Sequence, residues 1–204
     1  MSIYFNGTKV TSVTLDGKSL TKVVDDGVTV FDATLNALIP TMTSDTAPTG
    51  TGSVSRSNST DNTNYKSYYA FDNNSKTCWL TNVASNGEWI KYSFNKERVV
   101  QKAVISIGDG RPGVTADITI YLQASNDNSN WTNLKSFTAK ASDATKTSFT
   151  NSVDSSTDDL YTHTYTFNNV KEYKHYRLYS SGKWQQGSTG YWGVYQMQLY
   201  GYMA

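Results

Sequence analysis

The first 33 residues repeat one short pattern three times, and this repeat limits the possible folds more than any other feature. Asn6-Gly7, Asp16-Gly17 and Asp26-Gly27 recur at ten-residue spacing, Val10, Leu20 and Val30 keep the same step, and Val13 and Val23 repeat with them. Asn-Gly and Asp-Gly accept positive φ at both central positions of a type I′ turn, and between alternating apolar residues they signal a two-residue hairpin. Ile3 to Phe31 therefore reads as a meander of short strands. A unit this small cannot bury a sufficient core alone, since chains below about 40 residues usually need disulfides, metal or a partner. With one cysteine in the chain, Cys78, no internal disulfide can form. The meander either packs onto the rest of the chain or, as the favoured reading, is a docking and oligomerisation element completed by other subunits.

The remainder has a different texture. Residues 34–41, with Leu35, Leu38 and Ile39, read as a connector. A polar Thr/Ser/Asn/Gly/Pro stretch to Asn64 reads as an ordered lead-in. Beyond it, strand candidates alternate with turn-rich segments at Trp89–Phe94, Val99–Ile107, Asp117–Ala124, Thr132–Ala139, Tyr161–Phe167, His175–Ser180 and Tyr195–Tyr200. Ile118, Ile120 and Leu122 fall on one face of their strand, and Thr119, Tyr121 and Gln123 on the other. Ala141 to Asp159 reads as an exposed hairpin or loop. Short strands at this spacing, without helical periodicity, predict an all-β sandwich or barrel. The 13% aromatic content, with 15 Tyr and 5 Trp, suits a core built from rings. Trp79, Trp89 and Trp131 are assigned to that core.

Several function classes find no support. A net charge of +1 gathers neither nucleic acid nor anionic membrane, so neither is an expected partner. No apolar run of about 18 residues is present. Met1-Ser2-Ile3-Tyr4 starts without a basic segment and apolar stretch, so no secretory leader is expected. Two His, one Cys, and no nucleophile elbow, His-Glu-x-x-His or phosphate-loop pattern leave catalysis without a candidate centre. Cys78 reads as buried and inert, and His163 and His175 as strand residues.

Four landmarks in order resemble the discoidin, or coagulation factor 5/8 type C, domain, the fold also of family 32 carbohydrate-binding modules. These are Ala70-Phe71-Asp72-Asn73-Asn74 with Thr77-Cys78-Trp79; Glu88-Trp89-Ile90-Lys91-Tyr92-Ser93-Phe94; Gln123-Ala124-Ser125-Asn126-Asp127 with Trp131; and Tyr176-Arg177-Leu178-Tyr179 with Gln196-Met197-Gln198-Leu199-Tyr200-Gly201. The resemblance implies a jelly-roll β-sandwich over 42–204. It also implies a structural Ca²⁺ site at Asp72, Asn74 and Thr77, closed by Gln196 where the family often has Glu, a substitution that removes one charge. Ca²⁺ prefers six to eight oxygens, which a loop of Asp, Asn and Thr can supply.

For ligand, a saccharide needs an exposed ring for its C–H face beside polar groups for its hydroxyls. Gly108-Asp109-Gly110-Arg111-Pro112-Gly113 offers Asp109 and Arg111. Ser181-Gly182-Lys183-Trp184-Gln185 offers Trp184 and Gln185, with Tyr191, Trp192 and Asn82 as further candidates. The lead-in and the N-terminal repeat are similar to elements of bacteriophage tail and fibre proteins. Together these resemblances imply a non-enzymatic, glycan-binding virion protein, assembled in the host cytoplasm and acting at the host surface. Residues 1–33 would contact other virion proteins and form a homo-oligomer. The alternative is a structural virion protein that uses the same fold for protein contacts alone.

Overall fold

A computed structural model describes residues 4–5, 8–9, 13–15, 18–20, 22–25, 28–32, 35–57, 64–80, 87–108, 119–139, 141–150, 157–167, 171–182 and 193–201, with backbone only through residue 32 and at 150, 157 and 158. The repeat forms three antiparallel pairs: β1 (Tyr4–Phe5) with β2 (Thr8–Lys9), β3 (Val13–Leu15) with β4 (Lys18–Leu20), and β5 (Lys22–Asp25) with β6 (Val28–Asp32). Phe5 pairs with Thr8, Leu15 with Lys18 and Asp25 with Val28. Each turn therefore has two residues between the strands, the length that Asn-Gly and Asp-Gly dictate.

The rest is a sandwich. Its strands are β7 (Asn36–Ala37), β8 (Gly52–Arg56), β9 (Trp79–Leu80), β10 (Trp89–Arg98), β11 (Lys102–Gly108), β12 (Thr119–Ser125), β13 (Thr132–Thr138), β14 (Thr145–Thr150), β15 (Thr157–Thr166), β16 (Tyr173–Ser180) and β17 (Gly193–Gly201), with one 3₁₀ turn at Ser67–Phe71. Five strands form one sheet in the order β13-β12-β16-β10-β8, and the second sheet runs β14-β15-β11-β17-β7 with β9 also on β17. All the pairings are antiparallel. The connector is not separate from the sandwich: β7 adds to the edge of β17, and Ile39 is 2% exposed in the core. The segment expected as an exposed hairpin contains β14, paired with the start of β15.

Alternation builds the core. Ile90, Tyr92 and Phe94 of β10, Ile120, Leu122 and Ala124 of β12, and Tyr176 and Leu178 of β16 point inward, against Ile105, Ile107, Met197 and Leu199 of the other sheet. Phe94 makes edge contacts with Tyr92 and Tyr176 at ring separations of 4.8 and 5.8 Å, a geometry that adds about 0.5–1.5 kcal/mol per pair beyond area burial. Ser106 pairs with Gln196 while Ile107 pairs with Val194, so Tyr195 is the extra residue of a bulge. That residue lets Val194 and Met197 both reach the main core despite their odd spacing. Tyr195 joins a smaller cluster with Tyr65, Cys78, Leu80 and Leu160.

Trp79 and Cys78 are buried as expected. The core assignment of Trp89 and Trp131 is corrected: both are only partly buried. Trp89 precedes inward Ile90 and so takes the outer face, and Trp131, just before β13, lies with its ring 3.9 Å from the Arg177 guanidinium. His163 is 1% exposed, its ring nitrogens 3.1 Å from the Tyr165 hydroxyl and 2.9 Å from the Ala139 carbonyl oxygen.

Candidate functional site

Strand register brings three connections together at one end of the sandwich. Gly193 pairs with Leu80 on one side and Gly108 on the other, so the segments beginning at 81 and 109 leave the sheet beside the one that ends at 192. The opposite sheet gathers the other three roots. The Gly87 N–H donates to the Ser180 carbonyl at 3.0 Å, and the Ser181 N–H donates to the Thr119 carbonyl at 3.2 Å. The described residues that flank 81–86, 109–118 and 183–192 are therefore neighbours, three in each sheet. Glycine suits two of these roots for a steric reason. A Cβ at Gly108 would strike the Tyr195 ring, and one at Gly193 would come within 2.8 Å of the Leu80 side chain.

All seven residues expected to meet ligand lie on these segments: Asn82 on the first, Asp109 and Arg111 on the second, and Trp184, Gln185, Tyr191 and Trp192 on the third. They fall outside the described residues; the strand ends that flank them are neighbours.

The loop expected to hold calcium is described in full. Asp72 follows the 3₁₀ turn and begins a compact turn: its Oδ1 accepts the Asn74 N–H at 2.9 Å, and its Oδ2 accepts the Thr77 hydroxyl at 2.6 Å. That hydroxyl also lies 3.0 Å from the Asn74 carbonyl. Asn73 takes φ of 57°, the left-handed conformation that asparagine tolerates. Asp72, Asn74 and Thr77 thus gather oxygens of the type a cation takes in one turn, with both Asp72 oxygens and the Asn74 side-chain oxygen already accepting hydrogen bonds within it. Gln196 fits poorly. With its amide oriented to satisfy both ends, Oε1 accepts N–H groups of Asn73 at 2.7 Å and Asn74 at 2.8 Å, and the NH₂ faces acceptors. A carboxylate could bond both N–H groups with one oxygen and offer the other to an ion; the amide offers N–H there instead. Burial raises the Asp72 pKa from its ordinary value, against hydrogen bonds that lower it. No cluster of three His, Cys, Asp or Glu able to hold a metal occurs among the described residues.

Sequence reasoning missed the outer face of the five-stranded sheet. Lys91, Arg177 and Gln123 align across β10, β16 and β12, with Trp89, Tyr179 and Tyr121 aligned in the next row. The signal was there as period two in Trp89-Lys91-Ser93 and His175-Arg177-Tyr179.

Comparison with known proteins matches this architecture. The F5/8 type C domain family model matches residues 53–166. Among solved structures, chitosan-binding module 1 from a Paenibacillus sp. IK-5 chitosanase/glucanase is 18% identical, with TM-score 0.50, covering 81% of this chain and 99% of that one. The family 32 module of AlyQ, solved with 4,5-unsaturated mannuronic acid, is 16% identical with TM-score 0.50, covering 74% and 95%. At these identities the likeness concerns the fold. No curated protein sequence matches significantly. With the family model covering more than half of the chain, on strands whose order and register build its sandwich, this protein belongs to the F5/8 type C (discoidin) domain family.

Proposed function

We propose that this chain is a non-enzymatic glycan-binding component of a bacteriophage particle, whether tail fibre, baseplate or capsid fibre, that adheres to glycans at the host surface. The observation that supports the binding half is that the strand ends flanking residues 81–86, 109–118 and 183–192 are neighbours; in this reading Trp184 is the stacking ring, and Arg111 and Asp109 pair with hydroxyls. Solved neighbours of the same fold include a chitosan-binding module and a module crystallised with a uronic acid, which supports a sugar as the ligand class. The virion half rests on the N-terminal repeat. Among the described residues its strands pair only two by two, and such short pairs suit pairing with further chains and displaying many copies. Calcium in this reading is a structural ion of the Asp72–Thr77 loop, held weakly because Gln196 stands where a carboxylate would complete the shell.

A glycan array probed with the full chain tests the reading. Binding to a defined subset of glycans is expected. Absence of any glycan binding by a chain that still assembles with other virion proteins would leave the structural role alone.

A further inference from the structure

We propose that the outer face of the five-stranded sheet is a second glycan site, selective for a carboxylated sugar: a uronic-acid residue within an oligosaccharide. The inference rests on the glycan-binding reading of this fold but uses different residues from the loop end. Its starting point is Lys91, 7% exposed. Lysine is almost never buried to this degree unless paired, yet no carboxylate among the described residues pairs with it. Its Nζ donates to the Asn128 side-chain oxygen at 2.6 Å and lies 5.1 Å from the Trp89 ring. A second cation sits across from it: Arg177 is its register partner on β16 and likewise has no carboxylate partner. Antiparallel partners are about 4.5–5.5 Å apart at Cα, so two unneutralised charges share one patch. Burial and the Arg177 charge both press the Lys91 pKa downward. The nearby carboxylate, Asp127, is already engaged by Ser125, Ser129 and Asn130 in its own turn.

The chemistry around the cations selects the anion. The Arg177 guanidinium lies 3.9 Å from the Trp131 ring centre and 4.9 Å from that of Tyr179, and its Nε donates to Gln123 at 2.7 Å. The fork is therefore held between rings, with its terminal N–H groups unmatched among the described residues. A planar carboxylate pairs with such a fork through two parallel hydrogen bonds. Tyr179 and Tyr121, register partners with ring centres 6.3 Å apart, are partly exposed beside the cations and offer faces for the C–H side of the same sugar. A uronic acid presents both features, a carboxylate and a C–H face, on one ring.

Titration of the full chain with β-1,4-linked tetraglucuronate, followed by backbone amide NMR, tests the proposal. The amides of Lys91, Gln123 and Arg177 should shift. Cellotetraose, the carboxyl-reduced counterpart, should leave them still, and sulfated cellotetraose should bind at least tenfold more weakly. Lys91→Gln should weaken tetraglucuronate binding roughly ten- to a hundredfold, the scale of a charge-assisted hydrogen bond. Shifts confined to residues 81–86, 109–118 and 183–192, equal binding of cellotetraose, or preference for the sulfated sugar would each overturn it, and the parent's shift map decides even if the variant does not fold. A loop-end failure is separable: it would abolish binding that depends on Trp184 and leave these sheet-face shifts intact.

Discussion

Gln196→Glu should make the stability of this protein strongly calcium-dependent. Gln196 is 8% exposed, and its amide closes the Asp72–Thr77 loop by accepting two backbone N–H groups while presenting its NH₂ to acceptors. Glutamate keeps the two accepted bonds but replaces that NH₂ with a second carboxylate oxygen. Without an ion, a buried donor is lost and a negative charge is set near Asp72, whose own ionisation is already opposed by burial. Leaving a buried polar group unmatched costs about 1–3 kcal/mol. For a domain of this size each kcal/mol moves Tm by about 2–4 °C, so a cost of about 2 kcal/mol lowers Tm by roughly 4–8 °C in chelator. Calcium reverses the deficit, because the carboxylate completes an oxygen shell. A ligand at a hundredfold excess over Kd stabilises the folded state by about 2.7 kcal/mol. Differential scanning calorimetry of parent and variant, in chelator and in calcium, should show the variant lower in chelator and gaining more from calcium. Identical melting in chelator together with equal gains in calcium would refute the role given to the Gln196 amide.

Other consequences can be measured separately. Burial lowers the His163 pKa, so the fold holds it neutral while the unfolded chain protonates near its usual value of about 6.5. Stability should therefore be full above that pH and fall as pH drops below it, and denaturant midpoints between pH 7.5 and 5.5 should decline less in His163→Gln. A double-mutant cycle on Trp131 and Arg177, whose guanidinium lies 3.9 Å from the ring, should give a coupling of about 0.5–2 kcal/mol; a value indistinguishable from zero removes the stacking claim. Deleting residues 1–33 should leave a folded chain of monomer mass by light scattering, and unchanged oligomer mass would remove the anchoring role.

Much of this fold was legible in the sequence because period-two alternation is a local signal. The two-residue turns of the repeat and the strands around Ile120-Leu122 and Tyr176-Leu178 follow from it directly. What escaped depends on where a ring ends up once strands align. Trp89 and Trp131 are large and apolar and so read as core residues, yet Trp89 shares the outer face of β10 with Lys91 two residues on, and Trp131, just before β13, meets Arg177 from two strands away; the two cations take their faces. The calcium loop was legible as a set of residue types, but the orientation of the Gln196 amide was not, since it depends on which backbone N–H groups meet it across β17. The bulge at Tyr195 was equally hidden, because it exists only relative to β11.

Glycan binding by the loop end is the central claim, and Trp184→Ala measured against the parent tests it most directly. One ring with two or three polar partners should bind a neutral glycan weakly, at about millimolar Kd or roughly −4 kcal/mol, and linked copies would raise the effective strength. Glycans selected by the array should be titrated into both proteins by NMR, with circular dichroism confirming an unchanged fold. Loss of binding in the variant is the predicted result. Binding equal to the parent's by folded Trp184→Ala would contradict it.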